Sequence, residues 1–282
     1  MNSTQYIKKL FDEKDILPIG AKNIKQSLAA LYHENSKYSE YTLYQDVERI
    51  MTFTDPFILR RSAMPFKTYI DKKRYYLKSQ INLSDSDFLD ILKNRRSQRT
   101  YSDYKLDENE ISAMCYLSYG VTKWVPIIGD ERKGYFGYRN FPSGGALYPM
   151  ELYFVSFNTY LPQGLYHYRP DINCLEQVKV GYYVEMLNKI ILAAPNVDLI
   201  SASGIFITTN IIERIIIKYG ERGYRFLMME CGAVNLLISL VATSLGLDVC
   251  SIGGYYDDKV NDFLDIDGAL ETVNNIIIVG KK

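Results

Sequence analysis

Apolar and polar positions along this chain follow two rhythms, one close to the helical period and one of two residues. In the first 80 residues the helical spacing recurs in short windows, 4–13, 23–32 and 43–51, set among many charges and tyrosines. From Ile81 the pattern tightens. Ser84, Asp85, Ser86 and Asp87 offer N-cap residues ahead of Phe88, Leu89, Ile91 and Leu92, which predicts a helix ending near Asn94 to Arg96. Asp107 with Glu110 has the form of a capping box for a helix carrying Ile111, Met114, Leu117 and Ser118 and stopping at Gly120. After a glycine-rich, aromatic stretch over 120–149 the rhythm becomes that of strands, at 151–157, 164–168 and 174–178. A turn sequence, Pro170-Asp171-Ile172-Asn173, lies between the last two. A helix over 183–193 is expected to end before Pro195, followed by a strand at 204–209 and helices at about 211–219 and 222–246. Strands at 248–251 and 273–279 close the series. This order predicts an α+β layered fold with long central helices, and no internal repeat or low-complexity tract interrupts it.

Composition adds limits. The chain has 282 residues, 47% hydrophobic and 23% charged, enough to bury a sizeable core in one large domain with an extension. Lysine plus arginine (33) balances aspartate plus glutamate (33), so charge gives no argument for nucleic acid or an anionic membrane as partner. The 25 tyrosines, against 12 phenylalanines, suit interfaces and flat ring-binding pockets, or are compositional bias. Cys115, Cys174, Cys231 and Cys250 have no CxxC spacing and stand apart from His33 and His167, which excludes the usual zinc and disulfide patterns. Cys231 and Cys250 read as small core residues, and His167, between two tyrosines in a strand, as structural. Trp124 reads as a lid or as a loop anchor. The polar first ten residues lack an apolar secretion core, so a cytoplasmic, reducing setting is expected. Residues 226–247 have the apolar length of a membrane span, but Glu230 and Asn235 within them favour a buried helix of a soluble fold.

Four segments could carry chemistry. Arg95, Ser97 and Arg99 share one side of an extended chain, and two guanidinium forks with a hydroxyl can hold a phosphate; three arginines in five residues equally describe a solvated face. In Pro142-Ser143-Gly144-Gly145-Ala146-Leu147-Tyr148-Pro149 the paired glycines let backbone approach a flat ligand, or form an ordinary turn. Lys218-Tyr219, ahead of Gly220, supplies an acid or base if desolvated, or a helix C-terminal cation. Gly253-Gly254, after a short strand, presents bare N–H groups or simply turns.

In this order the segments resemble the nitroreductase superfamily of FMN enzymes, and most closely its SagB/ThcOx-type branch, the azoline dehydrogenases of thiazole- and oxazole-modified peptide pathways. The likeness runs from Ile81 to Gly280. It rests on Arg95-x-Ser97-x-Arg99 with Tyr101, Leu117 to Thr122, the Pro142–Pro149 run with Glu151, Gly164-Leu165-Tyr166-His167-Tyr168 and Lys218-Tyr219-Gly220. Arg225 with Glu230, Gly232 and Asn235, then Gly246-Leu247, Ile252-Gly253-Gly254 and Ile278-Val279-Gly280, complete it. Tyr32-His33-Glu34-Asn35-Ser36 is similar to part of these proteins' extensions.

The resemblance implies a central, mainly antiparallel sheet wrapped by helices, in an obligate-type homodimer with FMN at the subunit interface. It divides the chain into a mainly helical extension, 1–80, for peptide or partner contact, and an FMN-binding domain, 81–282. Arg95, Ser97 and Arg99 would hold the phosphate; Pro142, Ser143, Gly144, Gly145 and Ala146 would approach the ring from the other subunit; Gly253 and Gly254 would lie near N5. A basic residue near the C-terminus often completes the family's phosphate site; the resemblance does not assign that role to Lys281 or Lys282. Lys218 and Tyr219 match the branch's catalytic Lys-Tyr pair. The implied activity oxidises thiazolines or oxazolines to azoles in a precursor peptide, beside a cyclodehydratase, in biosynthesis of a ribosomal peptide natural product such as a bacteriocin; no metal is implied. Two other readings stay open: a flavin-dependent reductase, of dehydroamino acids in lanthipeptides or of nitro and quinone compounds with NAD(P)H, and a non-catalytic peptide-binding scaffold.

Overall fold

The computed structural model describes residues 28–38, 40–83, 87–129 and 134–282. Contacts divide the chain into two units, Met1–Gln45 and Asp46–Lys282. In the first, the described part comprises helix α1 (Leu28–Asn35) and the start of α2 (Glu40–Thr52). The helix expected over 4–13 lies outside the described residues, and so does the start of that expected over 23–32.

The second unit is built on a seven-stranded sheet. Its strands are β1 (Arg74–Tyr76), β4 (Met150–Ser156), β5 (Gly164–Arg169), β6 (Cys174–Val180), β7 (Gly204–Ile211), β8 (Asp248–Ile252) and β9 (Glu271–Gly280). They lie in the order β1-β6-β5-β4-β7-β9-β8, each pair antiparallel. The sheet reaches back across the boundary expected at Ile81, because Arg74, Tyr75 and Tyr76 pair with β6. Strands β2 (Val121–Pro126) and β3 (Tyr135–Arg139) form a separate ribbon inside the glycine-rich stretch, where bulges and aromatics hid the alternation. Trp124 stands on β2 against Phe66, ring centroids 5.9 Å apart, rather than in a loop.

Period-two alternation explains the layers. Leu152 and Phe154 of β4, Phe206 of β7, and Ile277 and Val279 of β9 enter one core, with Ile111 and Met114 of α5 (Glu108–Tyr119) and Val234 and Ile238 of α8 (Glu221–Ser244). Their neighbours Tyr153, Val155, Ile205, Ile207, Ile276 and Ile278 enter a second core, with Val184 and Leu187 of α6 (Val184–Ile190) and Val260 and Phe263 of α9 (Asp257–Leu264). Both faces are covered, so the strands read as continuous apolar runs. The expected α+β fold is the one observed. Helix α8 is apolar and long enough to cross a membrane; in this fold Leu227, Val234, Ile238 and Ala242 bury one of its faces in the core.

Local signals account for several boundaries. Asp107 and Glu110 form the expected capping box, each accepting the other's backbone N–H at 2.8 Å. Asp87 caps α4 (Phe88–Asn94), accepting from Leu89 N–H at 2.9 Å; Ser84, Asp85 and Ser86 lie outside the described residues. Helix α6 ends at Ile190, short of the expected Ala193, where the backbone turns extended at Ile191 and bridges to Tyr255. Helices α3 (Pro56–Ser62) and α9 lie in segments where only seven or eight residues leave too few turns for a clear period.

One polar cluster pierces the second core. His167 is fully buried, its Nε2 2.8 Å from Glu151 Oε2 and its Nδ1 3.6 Å from Glu176 Oε2. Tyr69 N–H donates to the same Glu176 oxygen at 2.9 Å, and Arg74 and Arg169 each approach its other oxygen at 3.2 Å. Burial opposes charge on both carboxyls, but the ion pairs and hydrogen bonds outweigh it and hold Glu151 and Glu176 down at about 2. Burial likewise opposes the imidazolium, and the two carboxylates outweigh it, raising His167. The carboxyls therefore contribute stability present above their ordinary 4.5 and lost as pH falls toward 2. His167 contributes stability present below its ordinary 6.5 and lost as pH rises through its folded value. His167→Leu should cost about 3–5 kcal/mol in urea unfolding at neutral pH, since it removes the cation that Glu151 and Glu176 share and leaves two buried carboxylates under-compensated. A loss below about 1 kcal/mol would refute the charged triad.

Candidate active site

The run from Pro142 to Pro149 links β3 to β4 and is the most strained backbone near any candidate residue. Gly145, Ala146 and Tyr148 have φ of 64°, 55° and 42°. Glycine accepts that region freely; alanine and tyrosine do so only where surroundings over-determine them. Tyr148 meets that condition. Its N–H donates to Ser143 Oγ at 2.9 Å, its hydroxyl accepts from Arg139 N–H at 2.9 Å, and its carbonyl accepts from Arg214 Nη1 at 3.2 Å. Its ring also covers the Arg139 guanidinium, 4.5 Å from the centroid, with Tyr119 on that guanidinium at 4.3 Å. A cavity of about 560 Å³ opens beside the loop, lined by Arg139, Phe141, Ser143, Gly145, Ala146 and Tyr148 among others.

Lys218 and Tyr219 end α7 (Glu213–Tyr219), which Gly220 stops with φ 54° and ψ −148° before α8 begins. Successive residues on a helix normally diverge, yet these two converge on Gly145. A Cβ there would stand 2.7 Å from Lys218 Nζ and 2.9 Å from the Tyr219 hydroxyl. Glycine at 145 is thus required twice, for its φ and for the space that the amine and phenol use. Lys218 is half-buried, with Nζ 4.8 Å from the Phe53 ring centroid. Burial is the one influence resolved on it, and it lowers the amine below its ordinary 10.5.

Beneath the loop lies Glu230 of α8, 4% exposed. Its Oε1 accepts from Ser143 Oγ at 3.0 Å and from Gly144 N–H at 3.1 Å; Oε2 is buried without a hydrogen-bond partner among the described residues. Burial raises this carboxyl to about 7, against the pull of those two donors and of Arg139.

A second cluster lies along β8. The chain after α4 is extended, as expected: Ser97 bridges to Val249 in parallel, and Gln98 N–H donates to Val249 O at 3.0 Å. Arg95 is half-buried, Ser97 and Arg99 are exposed, and among the described residues no carboxylate is paired with either arginine. Arg96 instead folds back on Lys93 O and Arg95 O at 2.7 and 2.8 Å, the helix C-terminal role. Gly253 and Gly254 follow the end of β8, four residues or roughly 13 Å of strand beyond Val249. Both are exposed, and a Cβ on Gly253 would meet nothing within 4 Å. Beside this segment, Ser102 N–H donates to Lys281 O at 2.7 Å, and the Lys281 amine lies 4.7 Å from the Tyr104 ring centroid.

The structure thus gathers the sequence candidates into two clusters: Ser143, Gly144 and Gly145 with Lys218 and Tyr219, and Arg95, Ser97 and Arg99 on the chain beside Val249 of β8; Gly253 and Gly254 lie past the far end of that strand. Pro142 and Ala146 line the cavity of the first. Three residues of the first cluster were not read as site residues from sequence: Arg139, Arg214 and Phe53. Arg214 alone left a signal, standing four residues before Lys218 and so on the same helix face. All four cysteines are buried and free, and among the described residues no His, Cys, Asp or Glu group could hold a metal.

The fold defines a class, and comparison identifies it. The nitroreductase family profile matches residues 92–281, and the chain belongs to that family. It is 34% identical over 183 residues to a candidate nitroreductase of Methanocaldococcus jannaschii, covering 63% of this chain and 83% of that protein. It is 33% identical over 134 residues to the microcin B17-processing protein McbC of Escherichia coli, 46% of this chain and 49% of McbC. A candidate nitroreductase structure from Anabaena variabilis superposes with a TM-score of 0.63 at 25% identity, over 77% of this chain and 43% of that one. A chain of the E. coli microcin synthetase McbBCD complex with truncated pro-MccB17 bound superposes with a TM-score of 0.55 at 22% identity, over 87% of this chain and 98% of that one. The match thus spans about half of McbC and less than half of the Anabaena chain.

A carboxyl raised by burial is penalised where it must ionise, so Glu230 lowers stability as pH rises from its ordinary 4.5 through about 7. Glu230→Gln keeps an acceptor for Ser143 and Gly144 without that penalty. Its Tm relative to the parent should increase between about pH 5.5 and 8.5, the range that brackets the folded value. A difference constant across that range would refute the raised carboxyl.

Proposed function

We propose that this chain is an FMN-dependent dehydrogenase of the SagB/ThcOx type, which oxidises thiazolines or oxazolines to azoles in a ribosomally made precursor peptide. The observation that carries the reading is the convergence of Lys218 Nζ and the Tyr219 hydroxyl on Gly145. Aromatising an azoline removes a proton from one ring carbon and a hydride from its neighbour. The proton needs a base that is neutral near working pH, and a lysine held only by burial is suited to that. Tyr219 orients the amine or relays the proton. The similarity to McbC, 33% over 46% of this chain, supports a peptide substrate. The heterocycle must first be made, so a cyclodehydratase is the expected partner.

The residues along β8 fit FMN. Arg95 and Arg99 lack carboxylate partners among the described residues and stand with Ser97 on one stretch of extended chain, a receptor for phosphate. The uncovered backbone at Gly253 and Gly254 suits a flat ring at the other end. When bound, FMN supplies hydride acceptance. The apolar residues Phe88, Leu89 and Leu92 of α4 and Met229 and Leu236 of α8 remain exposed, which supports burial against a second copy of the chain. In that homodimer, Pro142 to Ala146 of one copy would approach the ring held by the other. Of the extension expected over 1–80, the part ahead of Asp46 would serve peptide or partner contact, since β1 belongs to the sheet.

Purified protein should be yellow, and replacing both Arg95 and Arg99 by alanine should lower FMN content measured after denaturation; full occupancy in the double variant would relocate the phosphate site. Lys218→Ala should keep its flavin and lose azole formation from a thiazoline peptide. In the parent, the rate should climb with pH along a limb centred below the ordinary lysine value. Unchanged turnover in Lys218→Ala would remove this residue from the chemistry.

A further inference from the structure

Glu151, the first acidic residue after the glycine-rich run, carries an ion pair that the proposed chemistry does not use. Its Oε1 lies 2.6 Å from Arg214 Nη1, and its Oε2 lies 2.8 Å from His167 Nε2. The carboxylate is 1% exposed, so it stays charged only while both partners face it. Arg214 Nη1 also donates to the carbonyl of Tyr148 at 3.2 Å. One guanidinium therefore grips both the loop's strained last turn and the strand that follows it. Arg214 stands one turn before Lys218 on α7, on the same face. Between them, Ile215 is fully buried, and its Cδ1 lies 3.5 Å from where a Cβ of Gly144 would stand.

We infer that the Arg214–Glu151 ion pair is a positioning element, fixing α7 against the Pro142–Pro149 loop so that Lys218 and Tyr219 meet at Gly145. The inference deepens the proposed function and rests on the reading of Lys218 as the proton acceptor. Arg214 and Glu151 touch no reacting atom. The helix is short and ends at Gly220, so without the ion pair the apolar packing of Ile215 is left to resist a tilt of its last turn. A tilt of about 1 Å at the amine is enough to cost on the order of a hundredfold in rate. Arg61 and Glu213 line the cavity beside Arg214. Glu151 faces Arg214, His167 faces Glu151, and Arg139 acts on the same carboxylate from β3. Around Lys218 stand the Phe53 and Tyr219 rings and the Gly145 backbone.

The test uses the flavin-loaded full-length chain with Arg214→Lys, Arg214→Gln and Glu151→Gln. Lysines are reductively ¹³C-methylated, and the Lys218 resonance is assigned by its absence in Lys218→Arg. In the variants that resonance should titrate closer to an ordinary lysine, as the amine leaves its half-buried place. With a thiazoline peptide, kcat should fall by on the order of tenfold or more while KM stays within about threefold, Arg214→Lys retaining more than Arg214→Gln. Unaltered Lys218 titration with kcat within about threefold of the parent, even at a lowered Tm, would overturn the inference and leave the pair purely structural. If Arg214→Gln does not fold, Arg214→Lys and Glu151→Gln decide. Should Lys218→Ala turn over normally while the Lys218 resonance still responds to Arg214, the positioning stands and the catalytic reading of Lys218 falls.

Discussion

The carboxylate of Glu151 is the constraint on which the rest of this structure is arranged. It is buried at the start of β4, and a charge there is tolerable only with cations on both of its oxygens. Arg214 and His167 supply them, and each belongs to a different part of the molecule. His167 fixes β5 beside β4 and passes the demand to Glu176 on β6, which in turn holds Tyr69 and Arg74 from the chain ahead of Ile81. Arg214 fixes α7. A single buried group thereby couples the sheet, the glycine-rich loop, the catalytic-candidate helix and the segment leading into β1. Such a cluster is weak evidence for stability as such, since an apolar replacement of matched volume can be as stable. What it adds is a unique relative placement of those parts.

The loop shows why that placement matters. Three residues of the Pro142–Pro149 run sit at positive φ, and two of them carry side chains. Their conformation is kept by contacts made outside the loop: Arg139 on the Tyr148 hydroxyl and ring, Arg214 on its carbonyl, Glu230 on Ser143 and Gly144. Those contacts come from β3, α7 and α8. The loop is therefore an outcome of tertiary packing, and its backbone is presented in a shape that its own sequence would not hold. The β8 cluster is different in kind. Arg95, Ser97 and Arg99 are arranged by simple strand geometry beside Val249, with few side-chain supports.

That contrast explains what was legible in the sequence. Features set by neighbours in the chain could be read directly: the Asp107–Glu110 box, the stop at Gly120, the apolar runs of β4, β7 and β9, the extended run at Arg95–Arg99. The site pair Lys218-Tyr219 was visible as residue types, while their convergence on Gly145 depends on where α7 packs. Arg139, Arg214 and Phe53 were not assigned, because each matters through a partner far along the chain: Arg139 through Tyr119, Arg214 through Glu151, Phe53 through Lys218. Glu230 was noticed as a charge in an apolar helix, and its pairing with Ser143 gives that charge a place. The β2–β3 ribbon escaped notice since glycine and aromatic residues mask its period, and β1 because three residues carry none.

The same geometry resolves an apparent conflict in the first cluster. A lysine serves as a base only if its amine can be neutral, and a nearby unpaired carboxylate would raise its pKa and work against that. Glu151 is paired with a residue one helical turn from Lys218, yet burial alone is the influence resolved on the amine. Arg214 and His167 consume the carboxylate's charge at 2.6 and 2.8 Å, and a neutralised cluster has little field left at longer range. The anchor can therefore be ionic and strong without charging the group it positions. An apolar anchor would spare the amine equally but would not grip the Tyr148 carbonyl, and an unpaired acid would hold the helix at the expense of the base. A carboxylate paired with cations on both oxygens, one turn away, meets both requirements.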